Sequence, residues 1–176
     1  MFPFGYGEAI SDDKDKENAE EEEFNFRPPG AMQDENDFLK LCKRSKKCSE
    51  ACPHDAIFFP GIEGGKNENT PFMDPANKPC RWCRDMPCID ACPSGALKKI
   101  SFDDILPVGL AVIDTDLCST YNGILCDICI TSCPSWIKAV RMNSERHPEI
   151  IEEKCTGCGL CAYYCDAVPD AISIIK

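Results

Sequence analysis

Residues 155–165, CTGCGLCAYYC, place four cysteines in the pattern C-x2-C-x2-C-x3-C. Three thiolates two residues apart can project from one loop onto three irons of a single cubane. The backbone N–H groups between them then face its sulfides. Gly157 and Gly159 let such a loop wrap closely without a side chain in the way. The fourth cysteine is expected to open a short helix and to turn toward the second cluster of a pair.

The same arrangement recurs upstream, as Cys80-x2-Cys83-x4-Cys88-x3-Cys92, as Cys118-x7-Cys126-x2-Cys129-x3-Cys133 and as Cys42-x5-Cys48-x3-Cys52. The last cysteines of the groups, at 52, 92, 133 and 165, are spaced by 40, 41 and 32 residues. Each group is followed by a small residue and an aliphatic one: Ala56-Ile57, Ala96-Leu97, Ala139-Val140 and Ala171-Ile172. Four copies of one unit make an internal repeat. Pro53, Pro93 and Pro134 come directly after a fourth cysteine, where proline suits a first helical turn. This is the cysteine spacing of bacterial ferredoxins.

Composition points the same way. The chain has 176 residues, 15 of them cysteine. Leu, Ile, Val and Phe make only about a fifth of it, near the level at which chains fail to bury a core. Something bound to the cysteines is therefore expected to complete the interior. Zinc sites use paired C-x2-C units rather than triplets with a fourth cysteine. Disulfides suit neither an odd count nor an N-terminus lacking a basic and then apolar leader. A cytoplasmic chain is expected, with membrane association only through a larger complex. No span is expected, since the run Ile105 to Ile113 is short and interrupted by Pro107 and Gly109.

The net charge is −11 and the pI about 4.6, which argues against nucleic-acid binding. Residues 12–23, DDKDKENAEEEE, concentrate the acid within an extended N-terminal arm, 1–36. The arm is expected to be solvated or to order on a partner.

The first group breaks the pattern at one position. Its register is intact, but Ser45 stands where the second cysteine belongs. A serine oxygen is a far poorer and more basic iron ligand than a thiolate, so this site is expected to be empty, the alternatives being a three-iron cluster or a labile four-iron one. Lys40, Lys43, Arg44, Lys46 and Lys47 crowd the same loop, as a solvated basic face or as a docking patch for an acidic redox partner.

Trp82, Trp136, Tyr163 and Tyr164 lie beside cysteines and are expected to pack against clusters and exclude water. His54 and His147 have no partner motif. No phosphate loop, nucleophile triad or paired acid and base is present, so no catalytic residue is expected. Strands are expected over Ile57–Phe59, Gly109–Asp114, Val140–Met142, Glu149–Glu152 and Ile172–Ile175, with a one-turn helix after each fourth cysteine. Gly61–Lys78 and Ser101–Pro107 read as surface insertions facing a partner. The fold class is α+β.

The segments Arg27-Pro-Pro-Gly-Ala31 and Asp37-Phe-Leu-Lys-Leu-Cys42, with CRWCRDMPCIDACPSGAL from residue 80 and ILCDICITSCP from residue 124, resemble the NapG/MauM kind of ferredoxin-type protein over residues 27–176. Among such proteins the chain is similar to small electron-transfer subunits of tungsten enzymes, including bacterial aldehyde:ferredoxin oxidoreductases and the class II benzoyl-CoA reductase complex. The resemblance implies tandem ferredoxin-like halves within residues 37–176, one from 37–60 with 150–176, the other from 79–145. It implies three [4Fe–4S] clusters, on Cys80, Cys83, Cys88 and Cys133, on Cys118, Cys126, Cys129 and Cys92, and on Cys155, Cys158, Cys161 and Cys52. Cys42, Cys48 and Cys165 would remain with Ser45 at the degenerate site. Pairing of groups in sequence order would exchange the fourth ligands and keep every triplet. The implied partner is a large catalytic subunit, tungstopterin-containing, with further electron-transfer subunits or a ferredoxin beyond it. An alternative is a NapG-like carrier from quinol to a terminal reductase, and another is a structural metal or assembly scaffold.

Overall fold

The computed structural model describes residues 26–101 and 106–176. The acidic stretch of the arm and residues 102–105 of the expected second insertion lie outside them. The first helix, α1 (Glu35–Leu41), begins where the Asp34 carboxylate accepts the Asp37 N–H at 2.9 Å, satisfying one of the donors that a helix start leaves open. It buries Phe38. Four short helices follow: α2 (Lys47–Glu50), α3 (Pro87–Asp90), α4 (Ile128–Ser132) and α5 (Leu160–Tyr163).

Each of these carries the third cysteine of its group and ends before or at the fourth. Helices after the fourth cysteines are therefore not what forms. The physical reason is the C-x3-C spacing itself, which is about one α-helical turn and uses the helix to join two cysteines. Pro53, Pro93 and Pro134 come after the helix and stop it, while Pro87 occupies the first turn of α3.

Strand β1 (Leu110–Ile113) pairs antiparallel with β4 (Ile172–Ile175), Leu110 facing Ile175. Strand β2 (Val140–Met142) pairs with β3 (Pro148–Ile150). The segment Ile57–Phe59 forms only one bridge, Phe58 to Phe72. Pro60 and Pro71 flank that bridge and lack the N–H groups a longer ladder needs.

Helix α2 packs on α3, and α4 packs on α5. The first two cysteine groups thus lie together, as do the last two. This differs from the expected grouping of 37–60 with 150–176 and of 79–145 by itself. The β1–β4 pairing closes residues 110–175 on themselves, so neighbours in sequence become neighbours in space.

The expected boundary at residue 36 is also displaced. Pro28 and Pro29 are fully buried, and the buried Arg27 ties them to residues 67–71. Its guanidinium donates to Thr70 Oγ1 at 3.0 Å, to the Pro71 carbonyl at 2.8 Å and to Asn67 Oδ1 at 2.7 Å. It also pairs with Glu35 and lies over the Phe38 ring, 4.7 Å from its centroid. Gly61–Lys78 is consequently not a surface insertion throughout, since Thr70 and Met73 are buried within it. Phe38, Trp82 and Met73 are the largest apolar side chains in the interior, which is otherwise built of small residues and cysteines. No helix among the described residues is long and apolar enough to cross a membrane.

Candidate iron–sulfur sites

All fifteen cysteines are free thiols, and they converge in four places. Burial pushes the Cys88 thiol up to about 12, with Cys52, Cys48 and Cys83 close enough to add to the rise. Cys80 is raised by burial and then by Cys158, Cys88 and Cys52. So Cys52 joins the triplet of Cys80, Cys83 and Cys88. Cys48 is pushed by burial to about 11, with Cys42 and Cys92 adding to it. One small cavity is lined by Cys42, Ser45, Cys48 and Cys92 together.

The second pair of groups repeats this. Burial raises Cys158 and Cys161, with Cys155 and Cys133 contributing to both. Burial pushes Cys129 up to about 11, followed by the effects of Cys126 and Cys118. The Cys126 thiol reaches Asp166 Oδ1 at 3.7 Å, so the residue next to Cys165 lies against this last triplet.

The structure therefore exchanges the fourth cysteines in sequence order. Cys133 lies with Cys155, Cys158 and Cys161 rather than with the Cys80 triplet, and Cys52 lies with the Cys80 triplet. Cys92 lies at the Ser45 site rather than with Cys118, Cys126 and Cys129. The fourth cysteine of each group leaves its helix toward the helix packed beside it, and those neighbours are α2 with α3 and α4 with α5.

Several features fit these places to iron–sulfur clusters. Among the described residues no three cysteine, histidine or carboxylate side chains converge closely enough to hold a single metal ion. A cubane asks for a wider set, with one thiolate on each iron. Buried thiols held above their ordinary range give up their protons to a metal, which supplies the positive charge that burial removed. Backbone N–H groups already point at sulfur. Ala56 donates to Cys52 Sγ at 3.5 Å, Leu97 to Cys92 Sγ at 3.5 Å and Ala139 to Cys133 Sγ at 3.3 Å. That explains the small residue after the groups: Ala56, Ala96 and Ala139 are buried against the turn that delivers the N–H. Finally, Trp82 Nε1 is a buried donor without a partner, as expected beside an acceptor such as a cluster sulfide.

The aromatic residues divide. Trp82 is fully buried, but Trp136, Tyr163 and Tyr164 are 45%, 48% and 40% exposed, so the last three do not seal a site. Trp136 instead donates from Nε1 to the Trp82 carbonyl at 3.1 Å, and Arg81 donates to the Tyr164 hydroxyl at 2.9 Å. Both bonds cross between the first pair of groups and the second. His147 stacks on Tyr121 with ring centroids 4.0 Å apart.

Residues 110–166 match the family model of the 4Fe-4S dicluster domain, a span that contains the last two cysteine groups and neither of the first two. The chain is 35% identical over 162 residues to the ferredoxin-type protein NapG of Escherichia coli strain K12, covering 85% of this chain and 70% of that protein. It is 37% identical over 159 residues to the methylamine utilization ferredoxin-type protein MauM of Methylobacillus flagellatus, covering 85% and 68%. The ferredoxin-type protein NapF of E. coli is 28% identical over 145 residues, covering 80% of this chain and 79% of NapF. No solved structure matches.

Proposed function

The chain belongs to the family of NapG and MauM ferredoxin-type proteins, and on that premise we propose that it relays single electrons between a donor and a larger redox enzyme. A [4Fe–4S] cluster, when bound, supplies one-electron transfer. Three full ligand sets are Cys80, Cys83, Cys88 with Cys52, then Cys155, Cys158, Cys161 with Cys133, then Cys118, Cys126, Cys129 with Cys165. Each pair of sites forms a ferredoxin-like half, and the two halves are in tandem.

The observation that carries this reading is the junction between the halves. The Cys80 N–H donates to the Cys158 carbonyl at 3.0 Å, and the Cys158 thiol lies close enough to raise that of Cys80. The two inner sites thus meet through their own ligand loops, and the four sites form a row from the Ser45 end to the Cys126 end.

The NapG and MauM relatives support a ferredoxin-type electron carrier, and the donor and acceptor we propose are a quinol-oxidising partner and a reductase. The tungstopterin partner receives no support from these comparisons. Anaerobic purification with copurifying proteins tests the reading. A brown chain bleached by dithionite, reduced by membranes supplied with a quinol and reoxidised by a copurifying reductase, is the expected result. Zinc in proportion to the cysteines, or cluster absorbance that no donor bleaches, overturns it.

A further inference from the structure

The Ser45 site retains the construction of a cluster site. Arg44 and Lys46 stand two and four residues after Cys42, as Gly157 and Gly159 stand after Cys155. All four have left-handed backbones: φ is 52° at Arg44 and 61° at Lys46, against 69° at Gly157 and 88° at Gly159. In glycine this conformation is free. In arginine and lysine it is unfavourable, and a loop released from a ligand would relax out of it.

Here the conformation is actively held. The Arg44 side chain donates to the carbonyls of Glu68 at 3.0 Å and Lys66 at 3.3 Å, and Lys46 lies over the Phe59 ring. The fourth cysteine of the site also keeps its donors. Cys92 Sγ accepts from the Leu97 N–H at 3.5 Å and stands 3.7 Å from the Ser94 hydroxyl. A backbone N–H likewise reaches Cys52 and Cys133 at complete sites, and such outer contacts position ligands.

Resting on the electron-relay reading, we propose that Cys42, Cys48 and Cys92 hold a [3Fe–4S] cluster whose open corner lies at Ser45. A serine oxygen is a far poorer iron ligand than a thiolate, and Ser45 is exposed, so an iron at that corner would be open to water and weakly held. Lys43, Arg44, Lys46 and Lys47 surround it, all exposed. Their charge favours an anionic three-thiolate cluster and opposes return of a ferrous ion to the corner. Serine thus makes a distinct terminus of the row rather than a vacant one.

Iron and sulfide analysis with electron paramagnetic resonance on the full chain, purified anaerobically and then oxidised, tests this. About fifteen irons per chain with one three-iron signal are expected. Ser45→Ala should keep that signal at full intensity, because the serine is not a ligand. Ser45→Cys should abolish it and add one iron as a fourth cubane. About twelve irons with no three-iron signal, or a signal lost in Ser45→Ala, overturns the proposal while leaving the three-cluster relay standing. Fewer than twelve irons in the unaltered chain, with no cubane signals on reduction, would instead overturn the relay reading beneath it.

Discussion

The N–H of Cys80 donates to the carbonyl of Cys158 at 3.0 Å, so a ligand loop of the first pair of groups is bonded directly to a ligand loop of the second. Trp136 reaches back to the Trp82 carbonyl, and Arg81 to the Tyr164 hydroxyl. These three bonds come from loops that also position thiolates, beside a core shared by both parts. Loss of either inner site should therefore disturb the contact between the two parts.

Gly159 tests that contact. Its φ is +88°, and an added Cβ would collide with the Pro75 carbonyl of the first part. Gly159→Ala combines a left-handed penalty of about 1–2 kcal/mol with a displacement of the junction. The expected outcome is a lower melting temperature and slower equilibration of electrons between the two inner sites after flash reduction. An unchanged rate in a folded variant would show that electrons do not cross there.

The order of the fourth ligands has its own test in the double variant Cys133→Ala/Cys155→Ala. With sequential pairing both changes strike one cluster, which is left with two thiolates and is lost, at a cost of about four irons. With crossed pairing each change strikes a different cluster, leaving two sites with three thiolates and two new three-iron signals. Iron analysis with electron paramagnetic resonance separates the two.

The difference between these pairings shows what could be read from residues alone. The triplets were legible because one loop must present three thiolates to one cubane, and that need writes itself into local spacing. Val140–Met142 and Ile172–Ile175 were legible as strands for a similar reason, being apolar runs directly after a buried alanine. The fourth cysteine is different. Its partner lies in another group, and only the packing of α2 on α3 and α4 on α5 says which. The role of Arg27 leaves no such mark, because its partners, Asn67, Thr70 and Pro71, are distant in sequence and carry no pattern.

Arg27 is a stability prediction. It is 4% exposed and satisfied by four residues. Arg27→Met leaves the buried acceptors of Asn67, Thr70 and Pro71 without their donor, a class of change costing about 1–3 kcal/mol. Chemical denaturation of the cluster-loaded chain should show that loss. The visible spectrum at equal loading should not change, since Arg27 touches no cysteine in the hydrogen-bond network.

Trp82 makes the opposite case, a residue whose effect should be electronic. It is fully buried, sits between Cys80 and Cys83, and its Nε1 has no acceptor from the protein. Its backbone is already committed, with the N–H donating to Cys80 Sγ at 3.4 Å and the carbonyl accepting from Trp136. The indole N–H is thus a buried donor left free to bond a cluster sulfide or thiolate. Such a bond stabilises the more negative, reduced state, and a bond of about 1 kcal/mol corresponds to about 40 mV for one electron. Trp82→Phe keeps the apolar volume and deletes the donor. The cluster on Cys80, Cys83, Cys88 and Cys52 should fall in midpoint potential by about that amount, with the other clusters unmoved, in a titration followed by electron paramagnetic resonance. A chain that loses stability while every potential stays in place would make Trp82 a packing residue and nothing more.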